Sequence, residues 1–411
     1  MKTLYCALLS IIAGTAPLAA QHPATRPPSK PADLAEAVKG SNAFAVELYR
    51  RLSKQPGNLF FSPESISTAF AMAYAGASGF TATEIQSAFH FTLPPQRLHS
   101  AMGALLAGMN APHKGYELHV AGALWAQQDA KILPTYLKLI QTDYGADFHQ
   151  VDFISAPETA RATINQSVEN QTNGKIQNLL GPDAVTPLTR LILTNAIYFK
   201  GNWTASFDKA ETQDHEFHQS LAQTEKAPLM HRTGSYCYFD SGTFQALELP
   251  YGGNELSMVV LLPRQIEGLP ALEESFTAAA VKEWMQKLDP VNEVIVTLPR
   301  FKMSQQFELS GILGKMGMKR VFGRAADFSG IDGRPGFGIS AAIHKAFIGV
   351  NEEGTEAAAA TAIVMRSTSA RVPMPEPPPI VFTADHPFLF LIRDNASGAI
   401  LFIGRVIDPT K

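Results

Sequence analysis

Between Glu352 and Val372 the chain reads E-E-G-T-E-A-A-A-A-T-A-I-V-M-R-S-T-S-A-R-V, a segment with no strong local preference. Its four consecutive alanines, flanked by Thr355 and Thr361, predict a helix by propensity alone. A stably packed helix needs a stripe of large apolar residues, however, and nearly all of these side chains are small. As a strand, the segment would present small neutral side chains on the face opposite Glu356, and no proline interrupts it. It is therefore compatible with either state and could enter between existing strands without a clash.

The chain as a whole is long enough for two or three domains but shows no boundary between them. It has 411 residues, of which 45% are hydrophobic and 17% charged, which is enough to fill a large core and excludes a disordered chain. Proline-rich spacers occur only near the N-terminus and at Pro373–Pro379. We therefore expect a single domain over residues 35–411.

Helical patterns come first along this domain and strand-like patterns follow, which is typical of an α+β fold. Apolar residues at helical spacing predict helices over three segments, the first with a possible interruption at Gly40: Ala32–Leu52, Ile66–Gly76 and Pro94–Met109. β-Branched runs predict strands over five segments: Arg190–Phe199, Leu256–Leu262, Glu293–Leu298, Ile380–Phe382 and Phe388–Ile392.

The first twenty residues have the composition of a secretory signal peptide. Lys2 supplies a positive end, an apolar stretch follows from Leu4 to Leu18, and Ala19 and Ala20 close it. Residues 21–34 are polar and proline-rich, which predicts a flexible leader. We therefore expect a secreted protein, extracellular or periplasmic, with no membrane association after signal cleavage.

Composition and motifs exclude several classes of function. The formal charge is -3 and no basic stripe is visible, which argues against nucleic-acid or heparin binding. Cys6 and Cys237 are the two cysteines, too few for a disulfide framework, and Cys237 lies in a strand-like setting that predicts an inert, half-buried thiol. Nucleophile-elbow, zinc-protease and nucleotide-binding motifs are absent, and His215-Glu-Phe-His218 fits a surface strand better than a metal site. We expect no enzymatic activity, no cofactor and no metal.

Seven segments in order along residues 35–409 carry a family resemblance. They are Asn58-Leu-Phe-Phe-Ser-Pro-Glu-Ser-Ile66, Asn195-Ala-Ile-Tyr-Phe-Lys-Gly-Asn-Trp203, Leu247-Glu-Leu-Pro-Tyr251, Ala326-Asp-Phe-Ser-Gly330, Glu352-Glu-Gly-Thr-Glu-Ala-Ala-Ala-Ala-Thr361, Phe382-Thr-Ala-Asp-His-Pro-Phe-Leu-Phe390 and Gly398-Ala-Ile-Leu-Phe-Ile-Gly-Arg405. Together they are similar to the corresponding segments of the serpins, which are serine protease inhibitors that insert a cleaved loop into a sheet.

The resemblance implies a serpin fold of three β-sheets and eight or nine helices, metastable, with an exposed reactive-centre loop at about residues 352–379. A target serine protease cleaves the loop, forms a covalent acyl complex, and is trapped when the freed hinge enters the central sheet. The hinge would comprise Glu352, Glu353, Gly354, Thr355, Glu356, Ala357, Ala358, Ala359, Ala360 and Thr361. Its inward positions, which a non-inhibitory member would fill with charged or bulky residues, are Thr355, Ala357, Ala359 and Thr361. We expect a monomer.

Loop length indicates the bond that the protease attacks. Counting along the family's usual loop from Gly354 places the bond between Thr368 and Ser369, and the inserted strand would then span about 46 Å. Arg371 would add about 10 Å of slack, whereas Arg366 would shorten the strand by two residues. A Thr or Ser at this bond predicts elastase-like, subtilisin-like or chymotrypsin-like targets, and cleavage after Arg366 remains the trypsin-like alternative.

Two further groups of residues are assigned by the resemblance. A hydrogen-bonded shutter under the centre of the main sheet would comprise Ser62, Ser65, Asn195 and His344. A breach at the top of the same sheet, where the hinge first enters, would comprise Trp203, Arg300 and Glu352. A non-inhibitory serpin acting as a carrier or chaperone, or a secreted hydrolase, would be the other classes of function; the small hinge side chains argue against the first, and the missing catalytic motifs against the second.

Overall fold

The computed structural model of the protein describes residues 29–146, 148–336, 338–355 and 378–411. The predicted signal peptide and residues 21–28 of the leader lie outside the described residues. So do the hinge residues Glu356–Thr361, the candidate bond Thr368–Ser369, and both Arg366 and Arg371.

Ten α-helices lie within the described residues, against the eight or nine predicted. They are α1 (Pro31–Leu52), α2 (Pro63–Tyr74), α3 (Gly79–Ala88), α4 (Pro95–Met109), α5 (Pro134–Leu139), α6 (Pro157–Gln171), α7 (Leu269–Ser275), α8 (Ala278–Gln286), α9 (Ser310–Lys315) and α10 (Ser329–Asp332). Five begin with proline, whose fixed φ suits the first helical position and whose missing N–H would be unpaired there in any residue.

Helix α1 agrees with the predicted helix to within one residue, but it differs from the predicted leader and from the possible interruption at Gly40. It begins at Pro31, so residues 31–34 belong to the helix rather than to a flexible leader, and the buried Asp33 in its first turn pairs with Arg97 of α4. It also continues through Gly40. A Cβ at Gly40 would lie 2.6 Å from the carbonyl oxygen of His90, so the glycine permits close packing instead of interrupting the helix.

The strands are β1 (Leu59–Phe61), β2 (Tyr116–Gln127), β3 (Phe148–Val151), β4 (Leu191–Asn202), β5 (Gln213–Ser220), β6 (Gln223–Asp240), β7 (Phe244–Pro250), β8 (Leu256–Pro263), β9 (Asp289–Pro299), β10 (Phe301–Glu308), β11 (Ala341–Asn351), β12 (Gly354–Thr355), β13 (Ile380–Thr383), β14 (Phe388–Asp394) and β15 (Ile400–Val406). Each of the five predicted strands is present, and the α+β class is confirmed.

Among the described residues the strands form two hydrogen-bonded sheets, where three were predicted. One has the order β10-β11-β12-β4-β2-β3, and the other has the order β1-β15-β14-β8-β7-β6-β9-β13 with β5 paired to β6. The long strand β6 pairs in turn with β5, β9 and β7. Strand β6 therefore joins two groups of strands, which would otherwise be separate sheets, into one hydrogen-bonded sheet.

The six-stranded sheet is covered on both faces. Alternate residues of β2 point to opposite sides, so that Leu118 and Leu124 join the main core while Ala123 and Trp125 join a second cluster with α6. Helix α2 is buried along its whole length on the main-core side. No helix in the described ranges is long and apolar enough to cross a membrane.

Candidate functional site

The top of the six-stranded sheet is parted by the two-residue strand β12. Below it, β4 and β11 pair directly and in parallel, from Ile192 opposite Ala341 to Tyr198 opposite Phe347. Above, Gly354 and Thr355 lie between these strands and pair antiparallel with each. The first hinge residues therefore already occupy a strand position between β4 and β11.

Gly354 is required at this entry point. Its φ is +147°, a conformation that residues with a Cβ rarely adopt, and a Cβ here would lie 2.6 Å from the Cα of Asn202 and closer still to the Gly201 carbonyl oxygen. The chain can therefore pass this close to β4 only because position 354 has no side chain.

Thr355, the first position predicted to turn inward on insertion, is fully buried already in this structure. Its Oγ1 lies 2.8 Å from the hydroxyl of Tyr251, and the ring of Tyr251 stacks on Trp203 at 4.7 Å between centroids. Burial raises the pKa of Tyr251 well above its ordinary value, so this hydroxyl stays neutral. The contact fixes the start of the hinge against the predicted breach tryptophan.

The breach carries a buried carboxylate, that of Glu352, which is 2% exposed. Burial alone would raise its pKa, but hydrogen bonds from Arg300 (Nε to Oε1, 2.6 Å) and Thr212 hold the pKa below its usual range. Trp203 adds a bond from its indole nitrogen to the Asn351 carbonyl oxygen at 3.0 Å. The turn that precedes β12 is thus held by an ion pair and by the indole.

The four predicted shutter residues meet in one buried network under the middle of the same sheet. The amide of Ser62 donates to Nε2 of His344 at 3.1 Å, so this nitrogen is an acceptor and the ring proton is on Nδ1. Nδ1 donates to Oδ1 of Asn195 at 2.6 Å, and the hydroxyl of Ser65 donates to the same oxygen at 2.8 Å. Asn195 returns a bond to the Ser65 carbonyl oxygen.

This network ties the two central strands to each other and to α2. Asn195 on β4 and His344 on β11 are direct neighbours across the pairing, and Ser65 lies in the first turn of α2. Complete burial lowers the pKa of His344 to about 3, so the ring is neutral at physiological pH. Any strand that enters between β4 and β11 at this level must break the His344–Asn195 bond.

Sequence reasoning named Trp203, Arg300 and Glu352 for the breach but missed their partners. Tyr251 is the last residue of the serpin-like segment Leu247–Tyr251, but the sequence indicates no role for it. Thr212 lies in a polar stretch without a recognisable pattern. Only the tertiary contacts reveal that both touch the hinge.

The remaining chemical candidates lie apart from this site. His215 is exposed on β5, and a separation of three residues on a strand directs the two histidines of the pair to opposite faces. Within the described residues no group of His, Cys, Asp and Glu could hold a metal ion. Cys237 is half-buried on β6, and burial raises the pKa of its thiol, as expected for an unreactive cysteine.

Comparisons with known proteins agree with this architecture. The family model "Serpin (serine protease inhibitor)" matches residues 39–409. The chain is 43% identical to the leukocyte elastase inhibitor of Homo sapiens, across 89% of this chain and 97% of the relative. It is similar in structure to uncleaved ovalbumin (TM-score 0.82, 31% identity, 91% of this chain and 100% of the other). It is also similar to human thyroxine-binding globulin with its ligand (TM-score 0.83, 30% identity, 92% and 100%). The chain belongs to the serpin family of serine protease inhibitors.

Proposed function

We propose that this protein is a suicide-substrate inhibitor of serine endopeptidases, which traps the acyl-enzyme by inserting its cleaved loop into the six-stranded sheet. The observation that carries the proposal is the position of β12, since a two-residue strand between β4 and β11 would be the start of an inserted strand. The chain that follows it has small side chains that can continue the same path.

The register of β12 defines how far insertion would run. Thr355 faces Gly201, so each further residue of the hinge would face one residue earlier in β4, and Met365 would reach Leu191, where β4 begins. Cleavage after Arg366 would leave one residue beyond the level of Leu191. Cleavage after Thr368 would leave three residues there, and cleavage after Arg371 would leave six. Cleavage at Thr368–Ser369 would therefore allow complete insertion with only a few residues of surplus chain.

The same register brings one hinge residue to the shutter. Counting from Thr355 opposite Gly201 and Val350, Thr361 would lie between Asn195 and His344. The two residues now bond each other, so insertion would replace the Nδ1–Oδ1 bond by contacts to the Thr361 hydroxyl. The inward hydroxyl at position 361 would thereby satisfy polar groups that insertion separates.

The target class follows from the residues around the proposed bond. Thr368 and Ser369 suit the small or shallow specificity pockets of elastase-like and subtilisin-like proteases, with chymotrypsin-like enzymes as further candidates. The likeness to the leukocyte elastase inhibitor supports an elastase-like target. Arg366 would direct a trypsin-like protease to a bond only two residues away.

We further propose that the protein is secreted after removal of residues 1–20 and acts as a monomer without a catalytic site, cofactor or metal of its own. Support for export comes from the apolar run that ends at Ala19 and Ala20. A chain that starts at residue 21 in the culture medium or periplasm would support this location, and retention of Met1 in the cytoplasm would contradict it.

The testing experiment is incubation of the purified protein with pancreatic elastase, subtilisin, chymotrypsin and trypsin. We expect a covalent complex that survives boiling in SDS with at least one of the first three, and mass spectrometry of the released C-terminal peptide identifies the bond. A peptide that begins at Ser369 supports Thr368–Ser369, one that begins at Ser367 identifies Arg366, and one that begins at Val372 contradicts the length argument.

A non-inhibitory binding role is the second candidate, because a carrier of thyroxine is among the similar structures. Under that role every protease would cut the loop and leave active, and no SDS-stable complex would form. Trapping by a single protease at near-equimolar stoichiometry is enough to reject it.

A further inference from the structure

A cavity of about 710 Å³ lies away from the hinge, between α1, α4, β2 and the turn that joins β14 to β15. This volume is in the range of small-molecule sites. Its mouth is formed by exposed residues that include Glu255 and Ser397. Its walls are mainly apolar, with contributions from Leu34, Leu105, Met109, Leu118, Leu256 and Leu401.

Glu64 lies in the wall of this cavity, in the first turn of α2, and is 1% exposed. Neither of its carboxylate oxygens makes a well-formed hydrogen bond in the part of the chain that the structure describes, although the Ser41 hydroxyl lies near enough to interact with the carboxyl group. Burial raises the pKa of Glu64 to about 7, an effect that the nearby Ser41 hydroxyl only partly opposes. A carboxylate buried without a full set of hydrogen bonds is costly, and either a proton or a cation from outside the chain would relieve that cost.

The other acidic groups at the cavity are already satisfied. Glu255 bonds His113 at 2.9 Å and Tyr116 at 3.0 Å, and Asp394 accepts from the amide and hydroxyl of Ser397. None of the residues that line the cavity is a lysine or an arginine. The cavity is therefore a negatively charged, mostly apolar space in which one carboxylate has no cation to pair with.

We propose that this cavity binds a small molecule that carries a protonated amine on an apolar body, with the ammonium group against Glu64. An anion would face the carboxylates of Glu255 and Asp394, and a wholly apolar ligand would leave Glu64 without a charged partner. An ammonium group instead gives a charge-assisted hydrogen bond while the apolar body fills the leucine-lined wall.

The test compares two probes of nearly equal shape, 4-phenylbutylamine and 4-phenylbutan-1-ol, by isothermal titration calorimetry on the whole protein. We expect the amine to bind wild type at least about tenfold more tightly than the alcohol, the discrimination that one charge-assisted hydrogen bond supplies. Equal affinities, or no saturable binding of the amine at millimolar concentration, overturn the proposal without any variant being made.

Variants then locate the site. Glu64→Gln keeps the shape and should reduce the preference for the amine to less than about threefold, since the ionic partner is lost. Ala104→Phe, in the cavity wall on α4, should weaken both probes, whereas Ala107→Phe, exposed on the same helix and absent from the cavity wall, should weaken neither. An undiminished preference in Glu64→Gln assigns the amine to Glu255 or Asp394 and contradicts the proposal. Unchanged trapping of elastase by the variants verifies their fold.

Discussion

In the proposed mechanism insertion would begin at Thr355, because its buried side chain already lies between β4 and β11 against Tyr251. We predict that Thr355→Arg converts the inhibitor into a substrate. An unpaired guanidinium at this position costs several kcal/mol to bury, of the order of 3–5 kcal/mol, so insertion becomes slower than hydrolysis of the acyl-enzyme.

The measurement is the number of inhibitor molecules consumed per protease inactivated, which should rise severalfold. Glu356→Arg is the matched control, since an outward position would keep the charge in solvent and leave this number nearly unchanged. Trapping by Thr355→Arg at wild-type stoichiometry would show that position 355 does not have to enter the sheet.

His344 makes the stability of the folded protein depend on pH through the shutter. Its native pKa of about 3 lies below the ordinary value of 6.5, so between these values the unfolded chain binds more protons than the native protein. Its contribution to stability is therefore complete above about pH 6.5 and is lost as the pH falls toward 3, by up to about 1.4 kcal/mol per pH unit.

We predict that the urea midpoint of wild type falls more steeply from pH 6.5 to pH 4.5 than that of His344→Gln. Glu64 acts in the opposite direction, because its raised pKa stabilises the native protein below about pH 4.5 and this contribution is lost as the pH rises through about 7. The comparison should therefore be made in a Glu64→Gln background, with Glu64→Gln alone against Glu64→Gln combined with His344→Gln. Parallel pH profiles would mean that His344 does not titrate on unfolding.

At the scale of elements, β12 lies between β4 and β11 at the top of the sheet, above the region where these two strands pair directly in parallel. Its position depends on Gly354, where a Cβ would collide with the backbone of β4. Two residues of the strand that would be inserted, Gly354 and Thr355, are thus already paired in the sheet before any protease binds.

We predict that Gly354→Ala expels β12 from the sheet and lowers inhibition while the protein still folds. The variant should lose amide protection at Thr355 in hydrogen exchange and should trap elastase less efficiently, with severalfold more cleaved inhibitor per complex. Gly349→Ala on β11 is the control, since a Cβ there meets no atom closer than 3.9 Å. Unchanged protection at Thr355 would contradict the requirement for glycine.

For the whole molecule, the proposed function makes the described state a metastable one. Insertion would replace one parallel pairing by two antiparallel ladders over about ten residues, at a net gain of about 1 kcal/mol per hydrogen bond. We therefore predict that cleavage of the loop raises the melting temperature by roughly 20 °C or more. Calorimetry before and after cleavage is the measurement, and an unchanged melting temperature would favour the non-inhibitory role. Cleaved Thr355→Arg should show a smaller rise.

The sequence alone was sufficient to predict the α+β class and the principal strands, which follow from local periodicity, and the small side chains of the hinge. The shutter and breach residues were assigned only through the resemblance to the serpins. The single network formed by β6, the position of β12 inside the sheet, the Thr355–Tyr251 contact and the cavity at Glu64 required the tertiary structure. Each depends on groups far apart in the chain, Thr355 and Tyr251 being 104 residues apart. Local propensity describes what a segment can adopt, whereas the pairing of distant segments depends on the packing of the whole molecule.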